Sequence, residues 1–231
     1  MDVKDILNTV ICDDCLTVMR QLPDKCVDLV LTDPPYGIGE ARNKNESRCK
    51  LAIAQAYPIE SWDDVTPDKE VFDEIIRVSK NQIIFGGNYF SDKLPASSCW
   101  IVWDKDNAGN DFADCELAWT SFTSAVRKFK YRWNGMLQEN MACKEIRFHR
   151  NQKPVALFEW CLEKYSKEGD TIFDCYAGSG TTAVSCKAMK RNYILIEKEP
   201  GYVETCKARI AQAETGVSVK EQKAGQGALW T

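Results

Sequence analysis

Short apolar runs of strand length alternate with helical apolar spacing along most of this chain, and that alternation limits its fold more than any other feature. Val27-Asp28-Leu29-Val30-Leu31, Gln82 to Phe85, Thr171-Ile172-Phe173 and Tyr193-Ile194-Leu195-Ile196 read as buried strands, with Val10-Ile11, Trp100 to Trp103 and Cys115 to Thr120 as further ones. Between them, Cys15 to Leu22, Asp68 to Ser79, Pro154 to Tyr165, Thr181 to Met189 and Tyr202 to Ala213 carry apolar stripes at helical spacing. Strand and helix in alternation predict an open, mostly parallel α/β sheet. Gly37 to Pro58 lacks periodicity and is highly charged, so it is expected to be a long mobile loop. The polar residues 214–231 are expected to form a disordered tail behind a single domain over 1–213.

Two strand ends carry chemistry. The run ending at Leu31 continues directly into Thr32-Asp33-Pro34-Pro35-Tyr36. Carboxyl ends of strands are the ligand-binding edge of an α/β sheet. Consecutive prolines fix φ and remove N–H donors, so a carbonyl acceptor is displayed rigidly there. Asp33 adds a second acceptor and Tyr36 a flat face, a combination suited to an amino group on a planar ring.

The second end is Asp174-Cys175-Tyr176-Ala177-Gly178-Ser179-Gly180-Thr181-Thr182, which follows a strand and opens a helix. Glycines let the backbone approach a ligand closely, and a helix N-terminus favours an anionic group such as a carboxylate. Glu197 closes the next strand, where an acid can hold ribose hydroxyls. The glycine spacing is neither the dinucleotide pattern nor a phosphate-cradling loop followed by Gly-Lys-Ser/Thr. The arrangement points to a nucleoside-bearing cofactor.

Composition excludes several classes. Of 231 residues 44% are hydrophobic and 28% charged, as expected of one soluble domain with a sizeable core. Apolar runs fall short of the ~18 residues that cross a bilayer, and Met1 to Asp5 lacks a signal-peptide profile, so a cytoplasmic location is expected. Eleven cysteines lie scattered among apolar neighbours, as suits reduced core residues. Cys12 and Cys15 form a lone CxxC and His149 is the only histidine, so no metal site is expected. The net charge of −4 hides two basic islands: residues 127–153 carry +6 and residues 42–50 carry +3, against about −13 elsewhere. Such islands can form a local anion-binding face.

In this order the motifs resemble those of the amino-group DNA methyltransferases, with the catalytic tetrapeptide ahead of the cofactor motif. The matching segments are Cys12-Asp13-Asp14-Cys15-Leu16, Asp33-Pro34-Pro35-Tyr36, Gln152-Lys153-Pro154, Asp174 through Thr182, and Glu197, so the resemblance spans roughly Val10 to Ile210. Gly86-Gly87-Asn88-Tyr89-Phe90 and Trp100 to Lys105 further resemble the small phage and prophage members. The resemblance implies a seven-stranded Rossmann-like methyltransferase sheet with helices on both faces. It also implies that Asp174, Tyr176, Gly178, Ser179, Gly180, Thr181 and Thr182 line the methionine and ribose part of S-adenosylmethionine. Glu197 would take the ribose hydroxyls, Asp14 and the Cys15 backbone would meet the adenine, and Lys153 would lie near the cofactor's carboxylate. Asp33, Pro34, Pro35 and Tyr36 would hold the target base. Asp13-Asp14-Cys15 stands where the family usually has Gly-Asp-Cys, and Asp174-Cys175-Tyr176 where it has Asp-Pro-Phe; both departures leave the key acids in place.

The implied reaction is methyl transfer to the exocyclic amine of a base flipped from duplex DNA. Asp at the head of the tetrapeptide leans toward adenine N6 over cytosine N4, where Ser is more frequent. Methylation of RNA or protein by the same chemistry usually goes with Asn there, and a non-catalytic DNA-binding relative would not need the intact acids. Carbon-5 cytosine methylation needs a Pro-Cys nucleophile, which the sequence lacks. Residues 37–58 and 127–150, the latter with Tyr131 and Trp133 among its basic residues, are the expected target-recognition segments. A homodimer is a family-level expectation. The tail sequence Gln226-Gly227-Ala228-Leu229-Trp230 resembles peptides that dock into bacterial sliding clamps.

Overall fold

β2 (Val27–Thr32) shows why the sheet forms as it does. Val27, Leu29, Val30 and Leu31 are all buried, because a central parallel strand has helices against both faces. In a computed structural model describing residues 1–39, 63–107, 113–134, 137–149 and 151–216, it lies at the middle of an eight-stranded sheet.

The other strands of that sheet are β1 (Thr9–Cys12), β3 (Ser79–Phe85), β4 (Trp100–Asp104), β5 (Cys115–Thr120), β6 (Arg127–Lys130), β9 (Thr171–Asp174) and β10 (Asn192–Glu197). A short ribbon of β7 (Trp133–Asn134) and β8 (Leu137–Gln138) stands apart from it. The order is β1-β10-β9-β2-β3-β5-β4-β6, and only β5 runs antiparallel to its neighbours. Seven strands were expected. The eighth, β6, lies in the basic, aromatic stretch whose lack of helical spacing was its only sequence signal.

Helices cover both faces. α1 (Cys15–Met19) and α2 (Lys69–Val78) pack Val18, Met19, Phe72 and Ile75 against Val30 and Ile84. α3 (Val155–Tyr165), α4 (Thr181–Ala188) and α5 (Pro200–Thr215) pack Leu157, Phe158, Ala183, Cys206 and Ile210 on the face that carries Leu29, Leu31 and Phe85. Burying Phe72 or Ile75 completely is worth about 1.5–3 kcal/mol each. Apolar spacing in α2 therefore does double duty, setting the helix face and its contact with the sheet.

α5 continues two residues past the expected domain end and stops at Gly216, whose φ of +74° serves as a left-handed cap. The Lys187–Glu214 ion pair ties that last turn to α4. Residues 217–231, including the clamp-like peptide, and most of the expected loop at 37–58 lie outside the described residues. Arg42, Lys44, Arg48, Lys50 and Arg150 lie outside them too. Among the described residues no helix is long and apolar enough to cross a membrane.

Candidate active site

The centre of the sheet is where its winding changes sides. β9 leads to β10 through α4 on one face, whereas β2 leads to β3 by way of α2 on the other. Ligands in such sheets bind beyond the carboxyl ends of the strands at this switch. Here the adjacent strands β9 and β2 end at Asp174 and at Thr32-Asp33. A hydrogen bond of 2.8 Å from Thr32 Oγ1 to Asp174 Oδ1 ties the two ends together.

Asp33 is held from two sides. Tyr36 donates its hydroxyl to Oδ1 at 2.5 Å, and Lys153 Nζ lies 2.6 Å from Oδ2. Burial raises the Asp33 carboxyl above the usual carboxylate range; Lys153 pulls it down and Glu116 pushes it up. Tyr36 is fixed in turn. Its backbone N–H and that of Gly37 donate to the buried Asp63 at 2.7 and 3.0 Å. Its ring stacks on Tyr89 at 4.9 Å with planes 14° apart. On Gly86, at a φ of +70°, a Cβ would collide with the Tyr36 ring, so glycine is required there for both backbone and space.

Asp174 is held by neutral donors. Thr182 Oγ1 donates to Oδ2 at 2.5 Å, and the Tyr176 N–H to Oδ1 at 3.1 Å. Burial pushes its carboxyl up to about 6 despite those bonds. The glycine turn behind it is anchored from α5. Arg209, at a buried position of that helix, donates to the Ser179 carbonyl at 2.8 Å, to Ser179 Oγ at 2.9 Å and to Thr181 Oγ1 at 3.3 Å. Gly180 (φ +79°) opens α4, and a Cβ there would strike Cys206.

One cleft joins the two strand ends. Of the sequence-predicted residues it brings together Asp33, Pro34, Pro35, Tyr36, Lys153, Asp174, Tyr176, Gly178, Ser179, Thr181 and Thr182. Gly180 supports it from behind. Asp14, Cys15 and Glu197 do not line it. Asp14 caps α1 by accepting the Thr17 N–H at 3.0 Å, and Cys15 is buried against Tyr176. Glu197 accepts the Gly178 N–H and the Glu199 N–H, both at 2.8 Å, so it braces the glycine turn. Lys153 faces Asp33 and Glu116 with its side chain only 7% exposed.

Other functional residues gave weak signals or none. Glu116 sits in β5 as a partly buried polar residue with no motif around it. Arg209 was detectable in principle, as a cation at the buried spacing of Val203, Cys206 and Ile210. Gln152, noted only as part of a motif, is a hub. It accepts from the Phe148 N–H at 2.9 Å and Ser179 Oγ at 3.2 Å, donates to the Ile146 carbonyl at 3.1 Å, and its own carbonyl accepts Trp133 Nε1 at 2.9 Å. Trp133 is thereby a core residue rather than an exposed contact, and Tyr131 stacks on Phe129 at 5.7 Å. The basic stretch is also less charged than its count: Lys128 pairs with Asp104, and Lys130 and Arg132 with Asp106.

The cleft suits a nucleoside-bearing cation. Asp174 lacks a cationic partner among its contacts, and open space lies where a Gly178 Cβ would stand.

Comparison with known proteins follows the same lines. Residues 103–208 match the family model of the DNA methylases. The type II methyltransferase M.HinfI of Haemophilus influenzae is 24% identical over 261 residues, covering 91% of this chain and 70% of that protein. Among solved structures, M1.HpyAVI in complex with SAM superposes with a TM-score of 0.53 at 22% identity, covering 87% of this chain and 98% of that one. The cytosine-N4-specific PvuII DNA methyltransferase superposes with a TM-score of 0.60 at 14% identity, covering 94% and 90%. The family match and the M.HinfI likeness fall on a chain whose fold and paired strand ends suit the same chemistry, and together they support an amino-group DNA methyltransferase.

Proposed function

We propose that this enzyme transfers the methyl group of S-adenosylmethionine to adenine N6 of a base flipped out of duplex DNA. The observation that carries the reading is the single cleft shared by Asp33-Pro34-Pro35-Tyr36 and the glycine turn after Asp174. When bound, the cofactor supplies an electrophilic methyl on a sulfonium. Asp174, Tyr176, Gly178 and Ser179 are the residues to hold it, with Arg209 and Glu197 keeping the turn in shape.

On the other side of the cleft, Asp33 and the Pro34 carbonyl accept the hydrogens of the target amine. That leaves the nitrogen lone pair directed at the incoming methyl, and the step then depends on positioning and charge placement. Each Asp33 oxygen already accepts one donor, Tyr36 on Oδ1 and Lys153 on Oδ2, so the amine competes with these for the remaining lone pairs. Flipping costs a few kcal/mol. Stacking on Tyr36, on the ring face away from Tyr89 or in place of Tyr89, offsets part of that cost.

Adenine is preferred on the strength of Asp33 alone. The likeness to the cytosine-N4 enzyme is a likeness of fold and leaves cytosine N4 as the second reading. Incubation with tritiated cofactor and duplex DNA, followed by nucleoside digestion, tests both steps. Label in N6-methyladenine is expected; label in N4-methylcytosine would move the assignment to the second reading, and unlabelled DNA would overturn it. Duplex DNA is the proposed partner, and the clamp-like peptide carries no part of this reading.

A further inference from the structure

Lys153 does not belong to Asp33 alone. Its Nζ lies 2.6 Å from Asp33 Oδ2, 3.3 Å from the Tyr36 hydroxyl and 3.1 Å from Glu116 Oε2. The other Glu116 oxygen is paired with Lys105, which follows β4. Four charges thus run from the cleft into the sheet, two acids alternating with two lysines, with no net charge. The contact between Glu116 Oε2 and Lys153 is an ion pair off the hydrogen-bond line. Oε2 is buried without a hydrogen-bond partner among the described residues. A buried acceptor in that state costs free energy until a donor turns to it, and the Lys153 ammonium, 3.1 Å away with three N–H groups, can supply one.

We propose that Glu116 is a positioning residue for methyl transfer: it offers the Lys153 ammonium a second seat, drawing it off Asp33 Oδ2 as the target amine arrives. The proposal rests on the amino-methylation reading above. Without Glu116 the ammonium would remain on Asp33 and compete with the amine for the oxygen that must receive it. It would also leave an unbalanced positive charge beside a nitrogen that becomes positive during transfer. With Glu116 the ammonium moves within a neutral chain, and Asp33 stays anionic and open.

The electrostatics agree. Burial opposes ionisation of Glu116, but the Lys153 and Lys105 ammonium groups outweigh it and hold the carboxyl at about 2, so Glu116 is charged throughout the working range. The groups facing Asp33 are Lys153, Tyr36, Glu116 and, on the neighbouring strand, Asp174. Transfer that needs ionised Asp33 is lost as pH falls through its pKa. Removing the Glu116 charge lowers that pKa, and removing the Lys105 charge, which leaves Glu116 less neutralised, raises it.

The test measures single-turnover methyl transfer to duplex DNA against pH for the full chain and for Glu116→Gln and Lys105→Met. Glu116→Gln is expected to slow transfer by roughly tenfold or more at the plateau with cofactor KM unchanged. Its acid limb should move to lower pH, while that of Lys105→Met moves to higher pH. Opposite shifts are something loss of packing does not produce. If one variant fails to fold, as judged by circular dichroism, the sign of the other's shift decides. Unmoved limbs, or limbs moving together, overturn the proposal while wild-type transfer stands; a wild-type chain that transfers nothing overturns the functional reading and this proposal with it.

Discussion

The two acids of the cleft, Asp33 and Asp174, end neighbouring strands and are treated in opposite ways. Asp33 is compensated by Lys153, itself shared with Glu116, whereas Asp174 is surrounded by two threonine hydroxyls and a backbone N–H. Neutral donors can hold a carboxylate in place without cancelling its charge, so Asp174 keeps a negative field for a positively charged ligand. Asp33 sits in a set of charges that is already balanced, which suits a group meant to orient a neutral amine. On the proposed reading, the difference is the one between a binding carboxylate and a positioning one at the ends of two adjacent strands.

The comparison can be broken most severely at Asp33. Asp33→Ala is expected to reduce methyl transfer by about a thousandfold or more while cofactor affinity, measured by calorimetry, changes little. Transfer at the wild-type rate would remove Asp33 from the mechanism. Asp174→Asn should do the converse, costing ~1.5–3 kcal/mol of cofactor binding with much of the transfer rate regained at saturating cofactor. Because the Asp174 carboxyl titrates at about 6, cofactor affinity should hold above that pH and fall away below it. The Asn variant should lose that dependence; an equally steep fall in the variant would assign the titration to another group. The smallest effect separates ring from hydroxyl. Tyr36→Ala should forfeit ~1–3 kcal/mol of stacking on the base. Tyr36→Phe keeps the ring and loses only the bond to Asp33, so transfer by the Ala variant should be the weaker, and the reverse ranking would argue against stacking.

Much of this was legible in the residues. Mostly apolar runs such as Val27 to Leu31 announced buried strands, and the Asp33 and Asp174 motifs stood where a parallel sheet puts its ligands. Local pattern failed where the determinant was tertiary. β6 was missed because a four-residue edge strand of alternating basic residues and one aromatic has no strong periodicity. Trp133 among cations looked like a surface contact, yet its indole N–H found the Gln152 carbonyl and its ring entered the core. Glu116 lies 83 positions from Asp33 by numbering and reaches it only through Lys153. Nothing at Cys115-Glu116-Leu117 signals that role, because it comes from strand order rather than from neighbours in sequence.

The position of β9 has a consequence in time. β2 leaves the ribosome early, but the strand that completes its pairing comes about 140 residues later, as the separation of 142 between Thr32 and Asp174 records. Until then one edge of a strand buried on both faces lacks its native cover, which is the kind of edge that recruits other chains. Closing it requires inserting β9 between β2 and β10, a long-range step of the sort that slows folding. The cleft thus cannot exist before β9 has been made. A nascent chain carries Asp33-Pro34-Pro35-Tyr36 long before the glycine turn after Asp174 that shares its cleft.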